Sequence, residues 1–187
     1  MVAHLPRDAA GTRDRAVLLV GFAGAMRRCE LVGLDVADLQ PRDEGMVVIP
    51  SVSKTDQEGQ GRRIAPAYGT DPETCPVTAV RAWMEMAGIN EGSVIRSVDR
   101  HGNIGAGWLD AKAVSLIVKR AAQRAGMDPT SYSGHSLRAG FVTSAAVNGA
   151  SERAIAAHTG HRSMEVLRGY VRHATVFTDN AATMLGL

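Results

Sequence analysis

The order of apolar and polar residues predicts helices over most of the chain. Residues 16–26 are apolar on nearly every face, which indicates a buried central helix that begins at a Thr12 cap and ends near Met26. Two later segments, Asp71–Gly88 and Asp110–Gly126, begin with a capping aspartate, end at a glycine and carry apolar residues at helical spacing. We therefore expect two amphipathic helices that each pack one face against the core.

Shorter apolar segments predict further helices, and Gly149 and Gly160 separate those near the end of the chain. The predicted ranges are Glu30–Leu34, Ser136–Asn148, Ser151–His158, Ser163–Tyr170 and Thr178–Leu185.

A small β element is predicted between the helices. Met46–Ile49 and Arg62–Ala65 flank the polar segment Ser51–Gly61 and are expected to pair as a hairpin with a long exposed loop. Ser93–Ile95 is a further predicted strand, and Arg100–Gly105 is predicted to be a turn-rich loop. The fold class that follows is mainly α with a small antiparallel β-sheet or hairpin.

Composition favours one globular domain. The chain has 187 residues, 45% hydrophobic and 21% charged, which is enough for one core and too apolar for a disordered tail. Residues 1–187 are expected to form a single domain with a loose lead up to about Ala10. The apolar run at 16–26 is too short for a bilayer span and no signal peptide precedes it, so a cytoplasmic protein is expected. Cys29 and Cys75 lie in apolar helical settings and are predicted to be reduced core thiols.

Charge is distributed unevenly. The formal net charge is +2 and the pI about 8.7, which is weak evidence for a nucleic-acid partner. Between residues 138 and 172, however, arginines outnumber acidic residues, whereas 35–44 is acidic apart from Arg42. Aromatic residues make up only 4% of the chain, too few to stack unpaired bases on their rings. If DNA is the partner, we expect a duplex that contacts the C-terminal third.

Two histidine-containing segments lie at predicted helix starts. His135 and Arg138 are three residues apart, so both project from one face of a helix whose N-terminus also favours an anion. Taken alone, a capped helix with a solvated arginine is the simpler interpretation. His158 and His161 precede the next helix and are equally ambiguous. A zinc site there is disfavoured because no third ligand follows at suitable spacing.

Three further residues stand out by their surroundings. Tyr170 lies between Arg168 and Arg172, and nearby cations favour the phenolate that a nucleophilic tyrosine needs. Lys54 lies at the tip of the predicted hairpin, and Arg27 directly follows the buried first helix. Each has an ordinary alternative as a surface or core side chain with no chemical role.

Together these residues resemble the motifs of the tyrosine recombinases, or phage-type integrases, and specifically of their catalytic domain. Ala25–Leu31 is similar to the family's Gly-Leu-Arg-x-Ser-Glu-Leu box, and Ser53–Gly59 to its lysine β-hairpin. His135–Arg138 matches the His-x-x-Arg box, Thr159–His161 resembles the Leu-Gly-His box, and Tyr170 follows at the family's spacing. The resemblance covers almost the whole chain. The residues that depart from the family's motifs are Met26, Cys29 and Thr159. None of them is among the groups that contact phosphate.

The resemblance implies the DNA breaking-rejoining catalytic-domain fold and a site-specific recombinase that cleaves and rejoins duplex DNA through a 3′-phosphotyrosyl intermediate, without metal or cofactor. In this interpretation Glu30 supports the first active-site arginine and Arg28 is a bystander. The implied catalytic residues are Arg27 and Arg138 to hold the phosphate oxygens, Lys54 as general acid, His135 to assist proton transfer, His161 to hydrogen-bond the phosphate, and Tyr170 as nucleophile.

The resemblance also implies partners and a location. Double-stranded DNA is the expected partner, on which free monomers would assemble into a homotetramer, in the nucleoid of a bacterial or phage-infected cell and without a membrane. The C-terminal helix at 178–187 either packs on its own domain or docks on a neighbouring copy. The family's N-terminal core-binding domain is expected to be absent, because Arg27 lies too close to Met1. Relaxation of supercoils, as in type IB topoisomerases, and DNA binding without catalysis stay open as alternatives.

Overall fold

The computed structural model describes residues 1–50, 62–161 and 163–175. The predicted loop Ser51–Gly61 and the predicted helix Thr178–Leu185 therefore lie outside the described residues. The helices within the described part are α1 (Ala9–Ala23), α2 (Arg28–Val32), α3 (Pro76–Met86), α4 (Ala111–Arg124), α5 (Ser136–Val147), α6 (Glu152–Thr159) and α7 (Met164–Thr175). The strands are β1 (Leu39–Arg42), β2 (Gly45–Val48), β3 (Arg96–Val98) and β4 (Ile104–Trp108).

Helix α1 lies in the main core, as its apolar sequence predicts. Its residues Ala16, Val17 and Val20 are completely buried, and the helix packs against α3, α4 and α5. Trp83 of α3 is also buried and donates its indole N–H to the carbonyl oxygen of Val94 at 2.8 Å. Because the rest of the domain surrounds α1, the end of this helix is a rigid platform for the residues that follow it.

A smaller apolar cluster joins the three C-terminal helices that the structure describes. It is built from Val142 of α5, Ile155 of α6 and Leu167 of α7, together with Ala146. Leu167 is completely buried, whereas the residues on either side of it in α7 are exposed. This cluster fixes α7 against α5 and so determines where Tyr170 lies.

The β element differs in part from its prediction. Strand β2 forms close to the expected position, but its ladder partner is β1, from Leu39 opposite Val48 to Arg42 opposite Gly45. The predicted strand at Arg62–Ala65 is wrong as an element: only Ile64 pairs there, through two backbone hydrogen bonds with Val48 at 2.7 and 2.9 Å. The chain nevertheless returns antiparallel to β2, as a hairpin requires.

The second β-hairpin was not anticipated. Strand β3 lies at Arg96–Val98, just after the predicted strand at Ser93–Ile95, and it pairs with β4. Part of the predicted loop Arg100–Gly105 therefore belongs to strand β4. Glycines at two of the five β4 positions weakened the strand pattern in the sequence.

The N-terminal lead and Cys29 also differ from expectation. Helix α1 starts at Ala9, before the predicted Thr12, because Asp8 caps it through the Gly11 backbone N–H at 2.8 Å. Leu5 is buried in the main core, so the lead is anchored.

Cys75 is buried as predicted, but Cys29 is exposed, since it lies on the outer face of the short helix α2. Among the described helices, none is long and apolar enough to cross a membrane.

Candidate active site

Two of the predicted arginines meet where α1 joins α2. Arg138 of α5 is buried and donates from Nη1 to the carbonyl oxygen of Ala25 at 2.8 Å. Ala25 has a φ of 45°, a left-handed conformation that costs a non-glycine residue roughly 1–2 kcal/mol. Burial lowers the pKa of Arg138, and the nearby Arg27 cation lowers it further. The two guanidinium groups thus lie on the same side of the molecule, close enough to repel each other.

Glu30 is the carboxylate that balances this positive charge. Its side chain is 3% exposed, and one carboxylate oxygen accepts from Arg27 Nη1 while the other accepts from the Arg27 backbone N–H at 2.9 Å. The second oxygen also accepts from Nη1 of Arg62 at 3.2 Å. Glu30 therefore orients Arg27, as the resemblance implied, and ties it to a residue that the sequence analysis did not select.

Arg62 connects three separate parts of the site. Besides Glu30, its guanidinium donates to the carbonyl oxygen of Gly24 at 2.5 Å and to that of His158 at 3.0 Å. Burial lowers the pKa of Arg62 to about 10, which still leaves it charged at neutral pH. No local pattern marks a half-buried arginine of this kind, because its partners are distant in sequence. Its place directly after the predicted lysine loop was the one available signal.

His135 and Tyr170 are in direct contact. Nε2 of His135, at the start of α5, lies 3.1 Å from the Tyr170 hydroxyl oxygen on α7. Partial desolvation lowers the pKa of His135, and the cations Arg138, Arg28 and Arg27 lower it further. His135 is therefore neutral at pH 7 and its Nε2 can accept the tyrosine proton.

His161 lies beside the same cations. Desolvation, followed by the charges of Arg138, Arg27, Arg62 and His135, lowers its pKa to about 4. Its Nδ1 is held by the hydroxyl of Thr159 at 2.6 Å. A neutral imidazole at this position contributes a hydrogen bond rather than a charge.

His158 belongs to the support of the site. Its Nε2 donates to the carbonyl oxygen of Ala23 at 2.8 Å, and its ring stacks on Phe141 with centroids 4.5 Å apart. Desolvation lowers its pKa as well. His158 thereby joins the end of α6 to the end of α1. Within the described residues no group of histidine, cysteine and carboxylate side chains is arranged to hold a metal ion.

A groove of about 440 Å³ runs along the start of α2 and the start of α5. Arg27 and His135 line it together with Arg28, Ser115 and Ser133. The resemblance implied that Arg28 is a bystander, but its side chain lies in this groove, where its Nη1 is 3.5 Å from the Ser115 hydroxyl oxygen. The groove is therefore richer in positive charge than the motifs indicate.

The structure brings together every predicted site residue that it describes. Arg27, Arg138, His135, His161 and Tyr170 come together from the start of α2, from α5 and α7, and from the turn after α6. Arg27 and His135 also line the groove. Lys54 lies outside the described residues. Paired arginines, neutral histidines and a tyrosine hydroxyl are the groups that bind a phosphodiester and attack its phosphorus.

Comparison with known proteins identifies the family of this chain. Residues 1–176 match the phage integrase family. An integrase/recombinase XerD homologue of Selenomonas ruminantium is 39% identical over 171 residues, which are 91% of this chain and 50% of that protein. The tyrosine recombinase XerC of Corynebacterium efficiens is 30% identical over 162 residues, 84% of this chain and 46% of that protein. The chain thus spans about half the length of these relatives.

Solved structures show the same fold at low sequence identity. XerH site-specific recombinase, in a post-cleavage complex with a palindromic difH substrate, superposes with a TM-score of 0.75 at 14% identity, over 100% of this chain and 50% of that one. XerA recombinase superposes with a TM-score of 0.66 at 17% identity, over 91% of this chain and 58% of that one. These likenesses confirm the predicted fold class. With the family match over nearly the whole length, they lead to one conclusion: this chain belongs to the phage integrase family.

Proposed function

We propose that this chain is the catalytic domain of a site-specific tyrosine recombinase, which cleaves and rejoins duplex DNA through a 3′-phosphotyrosyl intermediate. The observation that carries the proposal is the 3.1 Å contact between Tyr170 and Nε2 of His135, next to the guanidinium group of Arg138. It brings a nucleophile, a neutral base and a cation that can bind phosphate into one cluster of side chains. Relatives named as recombinases, and XerH bound to its DNA substrate, support the same assignment.

The two arginines hold the reacting phosphate in this proposal. A guanidinium group has five N–H donors, so Arg138 keeps donors for a ligand after its bond to Ala25, as does Arg27 after its bond to Glu30. Both cations stabilise the negative charge that grows on the non-bridging oxygens as the phosphorus becomes pentacoordinate.

Cleavage follows from the groups around Tyr170. The Tyr170 oxygen forms a bond to phosphorus, its proton passes to Nε2 of His135, and the bond from phosphorus to the 5′-oxygen breaks. By resemblance, Lys54 gives the leaving 5′-oxygen its proton. The number of phosphodiester-type bonds is unchanged, so a 5′-hydroxyl of another strand reverses the step and reseals the backbone. Strand exchange then requires no cofactor and no nucleotide hydrolysis.

Strand exchange between two duplexes calls for several active sites, so we further propose that free monomers assemble into a tetramer on DNA. The sequence supports this, because it predicts one apolar stripe on the last helix, made of Phe177, Ala181, Met184 and Leu185, although 178–187 lies outside the described residues. Deleting Thr178–Leu187 is then expected to weaken the assembly of multimeric complexes more than binding of one duplex. An equal loss of both in gel-shift titrations would contradict docking between copies.

The central test is covalent trapping on nicked duplexes with a randomised target sequence. We expect a denaturant-resistant protein–DNA complex with the wild-type chain and none with Tyr170→Phe, whose duplex affinity stays within about tenfold, or 1.4 kcal/mol. Tyr132→Phe is the matched control, because its hydroxyl contacts only the sulfur of Met127 among the described contacts and trapping should persist.

Assays on duplexes that carry the target sequence selected by trapping then distinguish recombination from the two alternative functions. Strand exchange between two duplexes that carry this target supports a recombinase. Relaxation of supercoiled DNA without exchange would assign a topoisomerase-like activity instead. Binding without trapping by the wild-type chain would leave only a DNA-binding module.

A further inference from the structure

The hydroxyl of Thr159 is buried next to the active-site pocket. Thr159 is the last residue of α6 and is completely shielded from solvent. The next residue, Gly160, has a φ of 66°, which turns the chain so that the ring of His161 folds back onto the end of the helix. The Thr159 oxygen and Nδ1 of His161 are 2.6 Å apart. This contact anchors one edge of the ring to the helix.

The Thr159 hydroxyl has one proton and three acceptors within reach. Besides Nδ1 of His161, its oxygen lies 2.7 Å from the carbonyl oxygen of Ile155 and 3.4 Å from that of Ala156, and both carbonyls can only accept. The Ala156 carbonyl already accepts from the backbone N–H of Gly160 at 2.8 Å, so Ile155 and His161 compete for the proton. If the hydroxyl donates to Ile155, Nδ1 of His161 must carry a proton and donate to the hydroxyl. If the hydroxyl donates to Nδ1, the proton of the neutral ring is on Nε2.

Only the second arrangement suits a phosphate ligand. The non-bridging oxygens of a phosphodiester accept hydrogen bonds, so a neutral His161 must present Nε2–H to bind one. The ring is neutral at pH 7 because its surroundings lower its pKa to about 4. The carbonyl of Ile155 stays paired without the hydroxyl, since it also faces the backbone N–H four residues later in the same helix. Turning the hydroxyl towards Nδ1 therefore leaves no buried group unpaired.

We infer that Thr159 is a positioning residue, whose hydroxyl donates to Nδ1 of His161 and thereby directs Nε2–H of the neutral ring to the reacting phosphate. This inference rests on the proposed function for its phosphate, but the state of the ring is a property of the protein alone. The leucine usual at this position in the family has no hydroxyl, so here the orientation of the histidine has a different source.

The first test uses ring ¹⁵N resonances of the DNA-free protein at pH 7. We expect the wild-type spectrum to show a protonated Nε2 and an Nδ1 shifted by an accepted hydrogen bond, and Thr159→Val to lose that shift. Thr143→Val is the matched control, because Thr143 donates to a carbonyl of its own helix at 3.0 Å and forms no hydrogen bond to a histidine among the described residues. A proton on Nδ1 in the wild-type protein, or the same His161 spectrum in the wild type and Thr159→Val, would overturn the inference.

The second test uses the rate of covalent trapping. Thr159→Val should slow cleavage about tenfold, the value of one hydrogen bond, while Thr159→Ser keeps the hydroxyl and stays near the wild-type rate. In a His161→Ala background, Thr159→Val should cause no further loss. An equal loss in both backgrounds would indicate packing alone and overturn the inference. If the wild-type chain formed no covalent complex, the proposed function would fail while the ring spectra still decided the role of Thr159.

Discussion

At the scale of single residues, the site depends on a balance of buried charges. Glu30 serves Arg27 and Arg62 at once, while Arg138 is held by a backbone carbonyl that Ala25 presents from a left-handed conformation. One carboxylate facing three guanidinium groups leaves an excess of positive charge beside His135 and His161. The pKa values of both histidines are lowered by desolvation first and by this excess of positive charge second. The same excess is what attracts a phosphate.

Removing Arg62 should destabilise the fold itself. In Arg62→Met the carbonyl oxygens of Gly24 and His158 lose their donor and Glu30 loses a partner, so we expect a loss of about 3 kcal/mol in the free energy of unfolding. Urea denaturation measures it. Arg63→Met is the control, because Arg63 is the exposed neighbour and should change stability by less than about 0.5 kcal/mol. Equal losses in the two variants would contradict the role of Arg62.

Acidification should reveal the depressed pKa of His161. Its pKa falls from 6.5 to about 4 on folding, so between these values the unfolded state binds a proton that the folded state does not. The stabilising effect of the neutral ring is complete above pH 6.5 and is lost as the pH falls towards 4.

Relative to His161→Gln, the wild-type chain should therefore lose roughly 1 kcal/mol of unfolding free energy between pH 7 and 4, since solvent screens a half-buried ring. Urea titrations at a series of pH values measure this difference. If the stability of the wild type relative to His161→Gln stayed constant or increased as the pH was lowered, the ring would not be held neutral.

At the scale of elements, helices α5, α6 and α7 position three of the predicted site residues. The start of α5 carries His135, the turn after α6 carries His161, and α7 carries Tyr170, while the apolar cluster around Leu167 holds these helices together. Helix α7 continues five residues beyond the predicted end at Tyr170, to Thr175, so the tyrosine lies inside the helix rather than at its end. Its hydroxyl is therefore held by packed helices.

The turn after α6 should be sensitive to a side chain at Gly160. Gly160 and Gly149 both have positive φ values, 66° and 80°, so alanine at either costs roughly 1–2 kcal/mol in backbone strain. A Cβ at Gly160 would also lie 3.1 Å from Cδ of Arg62, whereas a Cβ at Gly149 would meet nothing within 4 Å. We expect similar losses in melting temperature but a slower cleavage, on the order of tenfold, for Gly160→Ala alone. Equal cleavage rates in the two variants would contradict this.

At the scale of the whole molecule, the positive charges collect on one groove. The net charge is only +2, but Arg27 and Arg28 line the groove, and together with Arg138 they lie close enough to His135 to lower its pKa. Arg28 packs so closely on Gly134 that a Cβ there would lie 2.3 Å from its Cδ. The groove thus has a fixed shape lined by cations, which suits the backbone of one DNA strand.

Arg28→Gln should change the salt dependence of duplex binding. If Arg28 contacts a phosphate, its loss should lower the slope of log affinity against log salt by about 0.9. Arg120→Gln removes the same charge from the side of α4 that faces Asp14 and should leave the slope unchanged. Fluorescence anisotropy at several salt concentrations measures both. If the slope were the same for the wild type and Arg28→Gln, Arg28 would not contact a phosphate of the duplex.

Local sequence patterns were sufficient to predict the elements that have a capping residue and regularly spaced apolar positions. The predicted helix Asp110–Gly126 agrees with α4, since Asp110 caps it through the Lys112 backbone N–H. The predicted start at Asp71 was early, because residues 72–74 form a separate 3₁₀ turn before α3. Strand β1 was not predicted, because its four residues Leu39–Arg42 include a proline, which is rare inside strands.

The sequence by itself determined the chemistry of the site: the identities and order of Arg27, His135, Arg138, His161 and Tyr170, and the helices that carry them. Only the tertiary structure decided that Arg62 joins Glu30 to His158, that Arg28 enters the groove, and that the Thr159 hydroxyl contacts both Ile155 and His161. The reason is physical. Periodicity and capping act between residues a few positions apart, whereas the partner of a buried polar group is set by how distant segments pack together.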